Sequence, residues 1–128
     1  IRRLLDGETL QVFGDGRQLR DFNYVDDVVR ALMLCALARD TAGKVYNLGS
    51  SEVLSLEALA QKLVATHGSG SYELVAFPDE RKRIDIGDYF GSSARIERDL
   101  GWQAQVGLDA GLRQTLDYFG RFGGHYWP

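Results

Sequence analysis

From Val28 to Leu37 this chain is almost wholly apolar: Val28, Val29, Ala31, Leu32, Leu34, Cys35, Ala36 and Leu37 would cover nearly the full circumference of a helix. A helix apolar on all sides has to be buried on most of them. It therefore needs something large to pack on, and this chain alone offers little of that size. Leading into it, Gly14-Asp15-Gly16 makes a turn and Leu19–Val25 reads as a strand. Asp26 or Asp27 then caps the helix, which runs to about Ala38. A carboxylate there accepts an orphan backbone N–H and favours the positive helix end. Capping accounts for the two aspartates, so they are not read as a catalytic pair.

The rest of the chain alternates strands with helices. Ile1-Arg2-Arg3-Leu4-Leu5 reads as the tail of a helix closed by Asp6-Gly7. With no initiating Met, the chain is expected to be cut from a longer one. A first strand is expected at Thr9–Phe13, a third at Lys44–Leu48 after the Thr41-Ala42-Gly43 turn, and a fourth at Tyr72–Phe77. Ser55 caps a helix whose Leu56, Leu59, Ala60, Leu63 and Val64 share one face. Gly68-Ser69-Gly70-Ser71 is a flexible loop, and Pro78 to Arg83 is a charged, strand-breaking one. Ser92 or Ser93 opens a short helix that stops at Gly101, with Trp102 anchoring its exit. A last helix spans about Leu108 to Phe122, with Leu108, Leu112, Leu116 and Phe119 in a stripe, before a frayed or docked tail.

Composition excludes several function classes. Lys and Arg number 15 against 18 Asp and Glu, for a net charge of −3. That balance gives no electrostatic case for nucleic acid or an anionic membrane. The longest apolar stretch, Ala31 to Ala38, is far short of the roughly 20 residues that span a bilayer. Cys35 has no partner cysteine and reads as a small buried hydrophobe. His67 and His125 stand at no ligand spacing, so no metal site is expected. A reducing cytoplasmic location is the expectation.

Arg20 stands out at the entrance of its strand. A guanidinium there can grip a phosphate or carboxylate with two parallel hydrogen bonds. It can equally serve as a surface ion-pair partner of Asp21 or Glu8. Gly14-Asp15-Gly16 has the opening spacing of a dinucleotide fingerprint, but Leu19 stands where the third glycine belongs and a strand follows. It reads as a turn.

Gly14-Asp15-Gly16, Arg20-Asp21-Phe22-Asn23-Tyr24-Val25-Asp26-Asp27, Tyr46-Asn47-Leu48-Gly49-Ser50 and Leu100-Gly101-Trp102 occur in this order. With them the sequence resembles the extended short-chain dehydrogenase/reductase family, which includes nucleotide-sugar 4-epimerases and 4,6-dehydratases. The resemblance covers nearly the whole chain, but only the carboxy-terminal part of the family's length. It implies an α/β fold: the C-terminal substrate-binding part of such an enzyme, a mixed small sheet with helices, some of which pack on a Rossmann domain absent from residues 1–128. NAD or NADP would bind that other domain, and none is expected on this chain alone. None of the 6 tyrosines is followed by a lysine four residues later, so the family's Tyr-x-x-x-Lys pair is missing and no catalytic residue is assigned here.

By position, the resemblance assigns Arg20 to the nucleotide diphosphate and Leu10, Gln11, Val12 and Phe13 to the nucleobase pocket, largely through backbone. The family's second arginine, in an Arg-x-Gly-Asp segment, falls in Glu80-Arg81-Lys82-Arg83-Ile84-Asp85-Ile86-Gly87-Asp88-Tyr89, where three basic residues compete. Arg83 is preferred because a planar fork suits a diphosphate, and Asp85 is the matching acid, suited to a ribose hydroxyl. A solvated charge run is the competing reading of that loop. The resemblance further implies a nucleotide-sugar as partner, a homodimeric parent enzyme, and transient oxidation of the sugar at its 4-position. In that scheme this chain supplies binding and orientation and is inactive alone. A free-standing, non-catalytic α/β binding module is the alternative.

Overall fold

In the computed structural model, which describes residues 1–127, six helices and four short strands form a small α/β unit. Helix α1 (Arg2–Leu5) ends at Asp6, and Gly7 turns the chain at a φ of 76°. Strand β1 (Leu10–Phe13) and strand β2 (Leu19–Asp21) flank the glycine turn. Helix α2 (Val25–Leu37) leads to strand β3 (Val53–Ser55), helix α3 (Leu56–His67) and strand β4 (Tyr72–Val75). Helices α4 (Asp79–Lys82), α5 (Ala94–Leu100) and α6 (Leu108–Phe122) complete the order, followed by a 3₁₀ turn at Gly123–His125.

The expected mixed sheet is divided into two ribbons. β1 pairs in parallel with β4, Leu10 opposite Tyr72 through Phe13 opposite Val75. β2 pairs antiparallel with β3, Arg20 opposite Leu54. Helix α3 packs on β1, β3, β4 and α6 and so joins the two. Its start follows the sequence: the Ser55 hydroxyl accepts from Ala58 N at 3.1 Å, and Gly68 closes it at a φ of 81°. Leu4, Val12, Ala60, Leu108 and Leu116 are buried on this side. A second cluster joins α2 to α5, where Ala31, Ile96 and Trp102 are buried with Leu34, Cys35 and Tyr46 against them.

Several expectations are corrected. β2 stops at Asp21, and Val25 belongs to α2, because Val53–Ser55, an unforeseen strand, is too short to pair with more. Lys44–Leu48 carries no strand assignment. It lies over α5, where Arg95 donates to Val45 O at 3.0 Å and the Tyr46 hydroxyl donates to Asp99 at 3.2 Å. Pro78 to Arg83 holds a helical turn, α4. Helix α2 is buried along one stripe, at Asp27 and Ala31. Its other stripe, Val25, Val29, Leu32, Met33 and Leu37, is half or more exposed.

Asp27 does not cap α2. Tyr24 is the N-cap residue, and no side chain bonds there. The buried Asp27 carboxylate instead accepts from Gln105 N at 3.0 Å, Val106 N at 2.9 Å and the Arg30 guanidinium at 2.7 Å. Burial pushes its pKa up, but the Val106 amide, Arg30 and the Gln105 amide outweigh that and hold it below the usual carboxylate value. Trp102 Nε1 donates to Asp27 O at 2.9 Å. The tail is docked: Trp127 stacks on Phe119, ring centres 4.9 Å apart.

Candidate functional site

A cavity of about 430 Å³ opens between β1 and α3, walled by Leu10, Gln11, Val12 and Phe13, with Leu59 opposite and Asp85 at one edge. Thus five of the seven sequence-assigned binding residues meet at one place. Along β1 successive side chains alternate: Val12 is buried, while Gln11 is exposed and bonds Glu73 at 3.4 Å. Phe13 and Phe77, ring centres 5.8 Å apart, form an aromatic corner.

Arg20 adjoins the cavity through Asp85. Its Nη2 stands 3.8 Å from Asp85 Oδ1, and both side chains are about three-quarters buried. Nη1 donates to Leu19 O at 2.7 Å and to Gly87 O, which fixes the guanidinium plane. The competing surface pairing with Asp21 or Glu8 is not formed: Asp21 accepts from Ser50 N and Gly91 N, and Glu8 lies 3.8 Å from Arg3.

The basic run divides differently from the sequence preference. Arg83 is the exposed C-cap residue of α4 and is not among the cavity walls. Arg81 places its guanidinium 5.4 Å from the centre of the Phe13 ring, within cation–π range. Sequence reasoning missed Gln18, which lines the cavity and whose Oε1 is buried without a partner among the described residues. Only its place two residues before Arg20 could have signalled it.

The glycine turn does not fit a dinucleotide. A Cβ on Gly16 would lie 2.9 Å from both Val12 Cγ1 and Glu57 Cβ, so the chain itself fills the space a pyrophosphate would need. The first amides of α3 are engaged as well, Leu56 N by Gln18 O and Glu57 N by Gly16 O.

Residues 1–49 match the model of the NAD dependent epimerase/dehydratase family. A dTDP-glucose 4,6-dehydratase of Neisseria meningitidis serogroup B is 35% identical over 129 residues, spanning 93% of this chain and 36% of that protein. A dTDP-glucose 4,6-dehydratase of Streptomyces venezuelae, solved with NAD, superposes with a TM-score of 0.83 at 30% identity, covering 98% of this chain and 38% of that one. The chain belongs to the extended short-chain dehydrogenase/reductase family. It matches the carboxy-terminal part of that fold and spans little more than a third of the length of the curated relatives. A UDP-glucose 4-epimerase of Thermotoga maritima, solved with UDP-glucose, agrees: its TM-score is 0.78 at 31% identity, over 93% of this chain and 37% of that one. Among the described residues no helix is long and apolar enough to cross a membrane.

Proposed function

We propose that residues 1–128 are the nucleotide-sugar-binding portion of an NAD- or NADP-dependent 4-epimerase or 4,6-dehydratase, and that they hold the nucleotide diphosphate while hydride and proton transfer take place on a Rossmann domain elsewhere in the polypeptide. The carrying observation is the cavity walled by β1 with the Arg20–Asp85 pair at its edge. An apolar wall suits a base, and a fixed cation beside it suits a diphosphate. The exposed stripe of α2, which asks for a large apolar partner, supports the same reading.

In this reading the diphosphate takes Arg20 Nη2 in place of Asp85, and the freed carboxylate accepts from a ribose hydroxyl. Arg81, on Phe13, closes the base end. Held away from the reacting atoms, the nucleotide contributes orientation of the sugar rather than chemistry. The parent protein is proposed to be a homodimer, with this chain inactive when isolated. The test is calorimetric titration of the full-length polypeptide with UDP, dTDP, GDP and CDP. At least one should bind, and Arg20→Ala should weaken it by about 10- to 150-fold, the equivalent of one charge-assisted hydrogen bond. Lack of binding by the unaltered protein, or equal binding by the variant, refutes the reading.

A further inference from the structure

Arg20 and Asp21 are neighbours on β2, so their side chains leave opposite faces of the strand. Arg20 goes toward the cavity. On the other face, Asp21 Oδ2 accepts from Gly91 N at 3.1 Å and from Ser50 N at 3.3 Å. That one oxygen therefore joins the 85–91 segment to the Tyr46-Asn47-Leu48-Gly49-Ser50 run, whose role the cavity leaves unexplained. The two segments touch at Gly49: a Cβ there would lie 2.2 Å from Gly91 O and 3.2 Å from Asp21 Oδ2. Only glycine permits that crossing.

The same 85–91 segment is stitched to the start of β2. Tyr89 N donates to Leu19 O at 3.0 Å, Leu19 N donates to Asp88 Oδ1 at 2.8 Å, and Arg20 and Tyr89 form a parallel bridge. Its upstream end supplies both of Arg20's restraints from outside β2, the Gly87 carbonyl and the Asp85 carboxylate. Where 85–91 lies thus decides where Arg20's guanidinium and Asp85 lie.

We infer that Asp21, seated in the Gly49 crossing, is a positioning residue that locks segment 85–91 onto β2 and thereby sets the Arg20–Asp85 pair at the cavity. It is not among the cavity walls itself and acts through the amide of Gly91. The consequence for affinity rests on the nucleotide-binding reading; the lock does not.

Amide hydrogen exchange on the full-length polypeptide tests the lock. Asp21→Ala should speed exchange at Gly91 and Tyr89 by about tenfold, as expected for losing the bond that closes a local opening unit. Exchange in α6 should be unchanged. Asp21→Asn keeps a carbonyl oxygen for the two amides and should restore protection. Gly49→Ala should mimic Asp21→Ala by displacing Gly91, and it carries the test if Asp21→Ala unfolds globally. Wild-type exchange at Gly91 and Tyr89 in the folded Asp21→Ala or Gly49→Ala variant overturns the inference. UDP or dTDP titrations of the same proteins separate the two ideas. Faster exchange with weaker nucleotide binding supports both. Faster exchange in the variants, with no nucleotide bound by the unaltered protein, upholds the lock and refutes the binding reading.

Discussion

Replacing Asp27 with alanine should strongly destabilise the α2–α5 side of the molecule. The residue is 2% exposed, and its carboxylate is the shared acceptor for Gln105 N, Val106 N and Arg30. Alanine strands two backbone donors, each costing about 1–3 kcal/mol when desolvated and unpaired. Arg30 is a third exposed, so losing its partner adds no more than about 1 kcal/mol after solvent screening. Part of the loop from Gln103 to Gln105 is open to water, which relieves some of the penalty. The sum is about 2–4 kcal/mol, against a typical domain stability of about 5–15 kcal/mol. Thermal unfolding should move down by about 7–15 °C.

Asp27→Asn isolates the charge. The folded carboxyl titrates below its usual value, so it binds its proton less readily folded than unfolded. Its contribution is therefore fully present above the unfolded carboxylate pKa of about 3.9 and disappears as pH falls through the lower folded value. Urea unfolding of wild type and Asp27→Asn should show a constant gap from pH 7 to pH 5 that closes in more acid solution. A gap independent of pH, or an Asp27→Ala cost below about 1 kcal/mol, refutes the account of this cluster.

Two further outcomes follow from local geometry. Gly16→Ala places a Cβ 2.9 Å from Val12 and Glu57 at a φ of 66°; it should cost about 2–4 kcal/mol in denaturant unfolding, from left-handed strain plus overpacking. Leu32→Glu combined with Leu37→Lys alters side chains 64% and 77% exposed. In the isolated chain this pair should change stability by no more than about 0.5 kcal/mol while lowering self-association in sedimentation velocity, and unchanged association would remove α2 as its cause.

Features encoded by neighbours in sequence were legible. The Ser55 cap, the left-handed Gly101 stop and the bounds of α6 all follow from local residue chemistry. Features set by distant partners were not. Asp27 has the position of a helix cap, and only the approach of residues 105 and 106 makes it an interior clamp. β2 ends at Asp21, opposite Val53 where β3 begins, although Phe22 to Val25 has strand composition. Lys44–Leu48 has strand composition too, but α5 binds it by side chains and no strand lies alongside among the described residues. At the site, β1 was readable because its four consecutive residues form one wall by themselves, with no distant segment needed to bring them together. The basic triad was not, because α4 turns: residues 81 and 83 lie about 200° apart around a helix, so Arg81 reaches Phe13 while Arg83 faces solvent.

The division of labour along β2 bears on how a cation so engaged can still serve a ligand. Arg20 Nη1 is held by two carbonyls, so the guanidinium is already oriented before anything else arrives. An arginine side chain carries about 2 kcal/mol of rotamer entropy, and a fixed one does not lose it again on binding. Asp85, at 3.8 Å and beyond hydrogen-bond length, holds only the remaining edge, the weakest of the three contacts. A doubly charged diphosphate can displace that single carboxylate without disturbing the two carbonyl bonds. On the proposed reading, the backbone bonds supply pre-organisation and Asp85 supplies the exchangeable contact. The geometry that makes Arg20 look structural is then the geometry that lets it bind tightly.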